Sequence, residues 1–211
     1  MGVATAVIFD FDGVLADSEG LHLRAFQDVF EPRGWSLGEG EYFARYLGFD
    51  DLGLVEAYAA GHGLRLDRAG ARALIDEKSA AFRQRTAAGL PLYSGAAECV
   101  RRLAAQFPLA IASGSLRAEI EDALRETGLR QSFGAIVGAD DVTATKPDPE
   151  PYLEAAARLG IAAARCVAIE DSHWGLTAAR RAGMRTVGIT TRSEAGALAG
   201  ADRIVGRIGE V

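Results

Sequence analysis

Apolar and polar positions along the chain follow two different rhythms. Residues 3–9 (VATAVIF) form a short apolar run that stops at Asp10, the pattern of a strand buried on both faces. From about residue 17 to 85 the rhythm changes. Leu21, Leu23, Phe26, Val29 and Phe30, then Leu74, Ile75 and Phe82, recur at helical spacing among charged residues, with no strand-like run between them. Beyond about residue 92, apolar runs at 108–112, 135–138, 166–169 and 186–190, with a weaker one at 203–205, alternate with helical segments near 95–106, 116–127, 150–159 and 174–182. Such alternation predicts a parallel sheet with helices on both faces. The simplest arrangement is an α/β fold. A doubly wound, Rossmann-like parallel sheet is built from residues 1–16 and 88–211, and a small α-helical cap, residues 17–87, is inserted after the first strand.

Composition narrows the function. With 211 residues, 49% of them hydrophobic and 25% charged, the chain has the material for one folded domain carrying an insertion, and disorder is excluded. No stretch approaches the roughly 18 apolar residues of a membrane span. Met1 leads into an apolar run without a basic region, so no secretory leader is expected. Cys99 and Cys166 stand alone, without ligand spacing, and read as reduced core thiols of a cytoplasmic protein. The net charge of -6 argues against a nucleic-acid binder, which needs a basic face. Of the 23 basic residues 21 are Arg, and the only lysines are Lys78 and Lys146.

Ligands of open parallel sheets bind at the carboxyl ends of the strands. Here those ends read Asp10-Phe11-Asp12-Gly13, Ser113-Gly114-Ser115 and Glu170-Asp171-Ser172, with Thr145-Lys146-Pro147 before another helix. Asp10 and Asp12, at i and i+2 on an extended segment, face the same way. Two carboxylates about 5 Å apart repel by roughly 3 kcal/mol at an effective dielectric near 20. With Glu170 and Asp171 added, either some of the acids are protonated or a cation sits among them. Oxygen-only ligands select a hard ion such as Mg²⁺. Ser113-Gly114-Ser115, between a strand and a helix, is a seat for an anion or simply a helix cap. In a chain that fills other basic positions with Arg, Lys146 is a retained point charge.

These segments, D-F-D-G-V-L at 10–15, Ser113 after an apolar strand, Lys146-Pro147, and Glu170-Asp171-Ser-x-x-Gly175, resemble in order and spacing the four motifs of the haloacid dehalogenase superfamily. D-S-E at 17–19 and the helical insertion resemble its phosphatase and β-phosphoglucomutase branch. The resemblance implies a Mg²⁺-dependent phosphatase acting on a small phosphorylated metabolite. Asp10 would be the nucleophile, and Asp12 the general acid and then base. The metal would be held by Asp10, the Asp12 carbonyl, Asp171 and Glu170, the last directly or through water. Ser113, the Gly114 N–H and Lys146 would hold the phosphate. A mutase of the same branch is the alternative. Such mutases carry an Arg after a cap glycine, where this chain has Gly48-Phe49-Asp50-Asp51. This acidic pair is expected to disfavour a second anion. His22 and Lys78 fall where mutases also have His and Lys, or are ordinary exposed helix positions. Arg117 is either an auxiliary phosphate contact or a solvated charge. A phospho-accepting signalling domain fits less well, since it would be shorter and lack the insertion.

Overall fold

The computed structural model describes residues 4–191 and 195–211, so the expected strand start at Val3 lies outside the described residues. The chain divides into two compact units, one of Met1–Asp17 with Leu90–Val211, the other Ser18–Gly89. The dividing points fall one and two residues beyond those expected from the sequence.

The first unit is built on strands β1 (Ala6–Phe9), β2 (Leu109–Ala112), β3 (Ala135–Val137), β4 (Cys166–Glu170), β5 (Arg185–Ile189) and β6 (Arg203–Val205). They form a parallel sheet in the order β3-β2-β1-β4-β5-β6. β1 is therefore central, and the chain winds outward from it first on one side and then on the other. This reversal beside β1 is the switch point at which open α/β sheets leave a crevice. Every residue of β1 and β2 is buried, which is why both read as continuous apolar runs rather than alternating ones.

The same unit contains helices α5 (Ala96–Ala104), α6 (Arg117–Glu126), α7 (Glu150–Arg158) and α8 (His173–Arg181). α7 and α8 meet the sheet through small residues. Ala155, Ala156, Ala178 and Ala179 pack with Ala6, Ile8, Ala110, Ala112, Cys166 and Ala168 in one core cluster. Alanine on both surfaces lets helix and sheet approach closely, so side chains from α7 reach the strand ends. Cys99 and Cys166 are buried and unbridged, as expected of core thiols.

Among the described residues of the second unit the regular elements are helices: α1 (Glu19–Phe30), the short α2 (Glu39–Glu41) running into a π-helical turn Tyr42–Tyr46, α3 (Asp51–Gly61) and α4 (Arg68–Thr86). Asp50 and Asp67 cap α3 and α4, accepting from the backbone N–H of Gly53 and Gly70. Its core gathers Leu23, Phe26, Phe30, Leu54, Val55, Tyr58 and Leu74, with Phe30 ringed by Phe26, Trp35 and Tyr58. His62, from the glycine-rich turn, stacks on Tyr58, with Nδ1 2.9 Å from the Tyr58 carbonyl and Nε2 3.6 Å from Glu41. Replacing Phe30 with Ala should cost about 3–5 kcal/mol. Hydrogen exchange should show faster amide exchange over residues 19–86, with the β1 and β4 amides still protected. Uniform loss of protection would mean that the units do not fold separately.

Candidate active site

Register brings the motifs together. Phe9 pairs with Ile111 on one side and Ile169 on the other, and Asp10 N–H donates to the Ile169 carbonyl. Asp10 is thereby level with the end of β4, where Glu170 and Asp171 lie, and next to the β2 end that carries Ser113.

Asp10 is buried, and its two oxygens differ. Oδ1 accepts from the Phe11 N–H at 2.7 Å and faces Lys146 Nζ at 2.8 Å. Oδ2 has no hydrogen bond among the described residues. Lys146, whose side chain is 7% exposed, also donates to Glu170 Oε1 at 2.6 Å. Glu170 is fully buried and fully engaged. Its Oε1 also accepts from the Tyr152 hydroxyl at 2.7 Å, and its Oε2 accepts from Asp171 N, Ser172 N and Ser172 Oγ at 3.0–3.2 Å. Tyr152, the third residue of α7 after Glu150 and Pro151, places its ring centroid 5.2 Å from Lys146 Nζ. Sequence reasoning missed Tyr152. A tyrosine at helical spacing looks like ordinary core, and only the fold aims its hydroxyl at Glu170.

The Asp12 carboxylate is held from the other side. Ser113 Oγ and Ser115 Oγ both donate to its Oδ2, at 3.1 and 2.6 Å. Ser113 Oγ also accepts from Ser115 N–H, which folds the loop back around Gly114. Ser115, which the sequence placed in an anion seat or helix cap, thus spends its hydroxyl on Asp12. Two glycines make the acids fit. At Gly13 (φ +79°) and at Gly175, a Cβ would coincide with the carboxylates of Asp171 and Glu170 respectively. The glycines of D-x-D-G and E-D-S-x-x-G are therefore cradles for the two β4 acids.

Asp10, Glu170 and Asp171 each offer an oxygen within 4.8 Å of the others. This all-oxygen, buried and net-negative set fits a hard divalent cation. The Asp12 carboxylate is not part of that set. Burial, reinforced by the charges of Glu170 and Asp12 and opposed by Lys146, pushes the Asp10 carboxyl well above the usual carboxylate range. Burial acts to lower the Lys146 ammonium, but Asp10 and Glu170 outweigh it and hold the lysine charged. The Tyr152 phenol is driven up by burial and by Glu170, so it remains a donor.

The remaining expected residues make contacts of their own. In the second unit Lys78 is fully buried rather than exposed, as is His22 nearly so. Lys78 Nζ donates to Asp51 Oδ2 and to His22 Nδ1, both at 2.8 Å, between the rings of Phe26 and Phe82. The expected Asp50-Asp51 acidic patch is not free: Asp50 caps α3 and Asp51 is ion-paired to Lys78. Arg117 is exposed and faces Glu121 and Asp141, while its backbone N–H is held by Asp140.

With this geometry in view, comparison with known proteins is decisive on one point. The sequence matches the haloacid dehalogenase-like hydrolase family over residues 7–189, and the protein belongs to that family. It is 33% identical over 186 residues to the fructose-1-phosphate phosphatase YqaB of Escherichia coli, covering 87% of this chain and 95% of that protein. CbbY from Rhodobacter sphaeroides, crystallised with phosphate and, as a mutant, with xylulose-(1,5)bisphosphate, superposes with a TM-score of 0.87 at 30% identity, over 99% of this chain and 96% of that one. A β-phosphoglucomutase from Clostridium difficile shares the fold, with a TM-score of 0.89 at 20% identity over 99% and 93% of the two chains.

Two outcomes follow from the geometry. In the metal-free protein Asp10 has a raised pKa when folded and about 3.9 when unfolded. The folded state then binds more protons, so stability should fall as pH rises from about 4 through the raised value. Asp10→Asn removes this penalty and should raise the metal-free Tm at pH 7, by roughly 2–4 °C for each kcal/mol recovered. A lower Tm in scanning calorimetry would contradict the charge imbalance. Gly175→Ala should destabilise the fold by about 1–3 kcal/mol in urea titration, because its methyl group displaces the Glu170 carboxylate.

Proposed function

We propose that this protein is a Mg²⁺-dependent phosphatase that hydrolyses a small phosphate monoester, such as a sugar phosphate, through an aspartyl-phosphate. The observation that carries this reading is Asp10: a buried carboxylate with one oxygen pinned by Lys146 and the Phe11 N–H, the other without a hydrogen bond, among further acids that demand a cation. Family membership and the named activity of YqaB support it.

Asp10 and Asp171 would hold the metal, with the Asp12 carbonyl, and Glu170 would add its charge directly or through water. Mg²⁺ there would neutralise the acids and polarise the phosphoryl oxygens. Asp10 Oδ2 attacks phosphorus while the ester P–O bond breaks, and protonated Asp12 gives its proton to the departing alkoxide. Asp12, now a base, takes a proton from water, whose oxygen attacks the aspartyl-phosphate and releases inorganic phosphate and Asp10. Lys146, with Ser113 and the Gly114 N–H, holds the transferring group. Ser113 and Ser115 set the starting position of Asp12.

The mutase alternative requires a cation to hold a second phosphate. The one lysine of the helical unit is already paired with Asp51, which favours hydrolysis over isomerisation. A signalling domain would not turn over.

Multiple turnover of p-nitrophenyl phosphate with Mg²⁺, abolished by EDTA, tests the reading. Asp10→Asn should leave less than a few per cent of kcat. Asp12→Ala should lose about 10²–10⁴-fold on alkyl esters and less on the aryl ester, whose leaving group needs little protonation. Phosphorus NMR with β-glucose 1-phosphate should show free phosphate. Glucose 6-phosphate formed faster, and stimulated by the 1,6-bisphosphate, would establish the mutase instead.

A further inference from the structure

Tyr152 is fully buried and touches both members of the Lys146–Glu170 pair. Its hydroxyl donates to Glu170 Oε1 at 2.7 Å, and its ring faces Lys146 Nζ at 5.2 Å. The same Oε1 accepts from Lys146 at 2.6 Å, so the two donors share one anionic oxygen. Lys146 in turn divides its protons between Glu170 Oε1 and Asp10 Oδ1, at 2.6 and 2.8 Å. We propose that Tyr152 is a positioning residue whose hydroxyl, by sharing the charge of Glu170 Oε1, limits how strongly Glu170 holds Lys146 and so leaves the lysine free to engage the phosphate.

The argument is electrostatic. A carboxylate oxygen with two donors spreads its charge over both. If the phenol is removed, that charge bears on Lys146 alone and on any cation in the acid set. Glu170 Oε2 gives no relief, because its three donors, the backbone N–H groups of Asp171 and Ser172 and the Ser172 hydroxyl, are fixed by the turn into α8. Lys146 should therefore move toward Glu170 and away from Asp10, while the acids become a stronger cation site. The inference rests on the phosphatase reading above, in which Lys146 binds phosphate and the acids bind Mg²⁺.

Tyr152→Phe keeps the ring under Lys146 and deletes only the donor. Calorimetric titration of Mg²⁺ alone should show tighter binding, by about fivefold, the equivalent of one net hydrogen bond. Orthovanadate titrated at saturating Mg²⁺ should bind about fivefold more weakly. Opposite shifts are the signature, since a merely structural role weakens both together. In a Glu170→Gln background the Tyr152→Phe effect on both ligands should vanish. Incorporating 3-fluorotyrosine at position 152, a stronger donor of nearly the same size, should shift both affinities the other way and keeps the test valid if the Phe variant folds poorly. Shifts of the same sign, or no shift, in a wild-type background that binds both ligands would overturn the role of Tyr152 alone. Wild-type protein binding neither Mg²⁺ nor vanadate would overturn the phosphatase reading and this inference with it.

Discussion

Four carboxylates, those of Asp10, Asp12, Glu170 and Asp171, gather where β1 and β4 end, and the only lysine among them is Lys146. In a buried setting such an excess of negative charge is costly, and much of the surrounding structure manages it. Glu170 is saturated by five donors, Asp12 is held by two serine hydroxyls, and Gly13 and Gly175 leave room for acids that any side chain would displace. Asp10 keeps Oδ2 without a hydrogen bond among the described residues. A buried excess of acids that could hold a cation is in keeping with the stability–function compromise common at functional sites.

The scaffold meets this demand by division of labour. The acids and Lys146 are borne on strand ends or on short turns locked to them, so their spacing follows from the sheet register. Alanine-rich contacts between the sheet and α7 and α8 draw Tyr152 within reach of Glu170 without enlarging the core. Arginines are left to partly or wholly exposed ion pairs such as Arg33–Glu77, Arg85–Asp28 and Arg207–Glu210, which contribute little individually. Lysine appears only where a compact ammonium is buried. Lys146 does this in the α/β unit, and Lys78 does the same in the helical one, between two phenylalanine rings with Asp51 and His22 as partners. The bias toward Arg thus sets apart both buried ammonium groups.

The sequence by itself determined the architecture and most of the site. Short continuous apolar runs suit strands buried on both faces; β2, β4 and β5 fall on those runs to within a residue at each end, and β1 ends with its run at Phe9. Acids that interrupt such runs must lie at the strand ends, which made Asp10, Asp12, Glu170 and Asp171 legible together. Tertiary structure alone decided what each polar group touches. Asp50 and Asp51 looked like a free acidic patch because local sequence cannot reveal that one caps a helix and the other meets a lysine 27 residues away. Tyr152, and the contact of the Ser115 hydroxyl with Asp12, stayed hidden for the same reason. A hydroxyl acts through its direction, and that direction is set by how distant elements pack, whereas a strand's apolar pattern is a local consequence of its own burial.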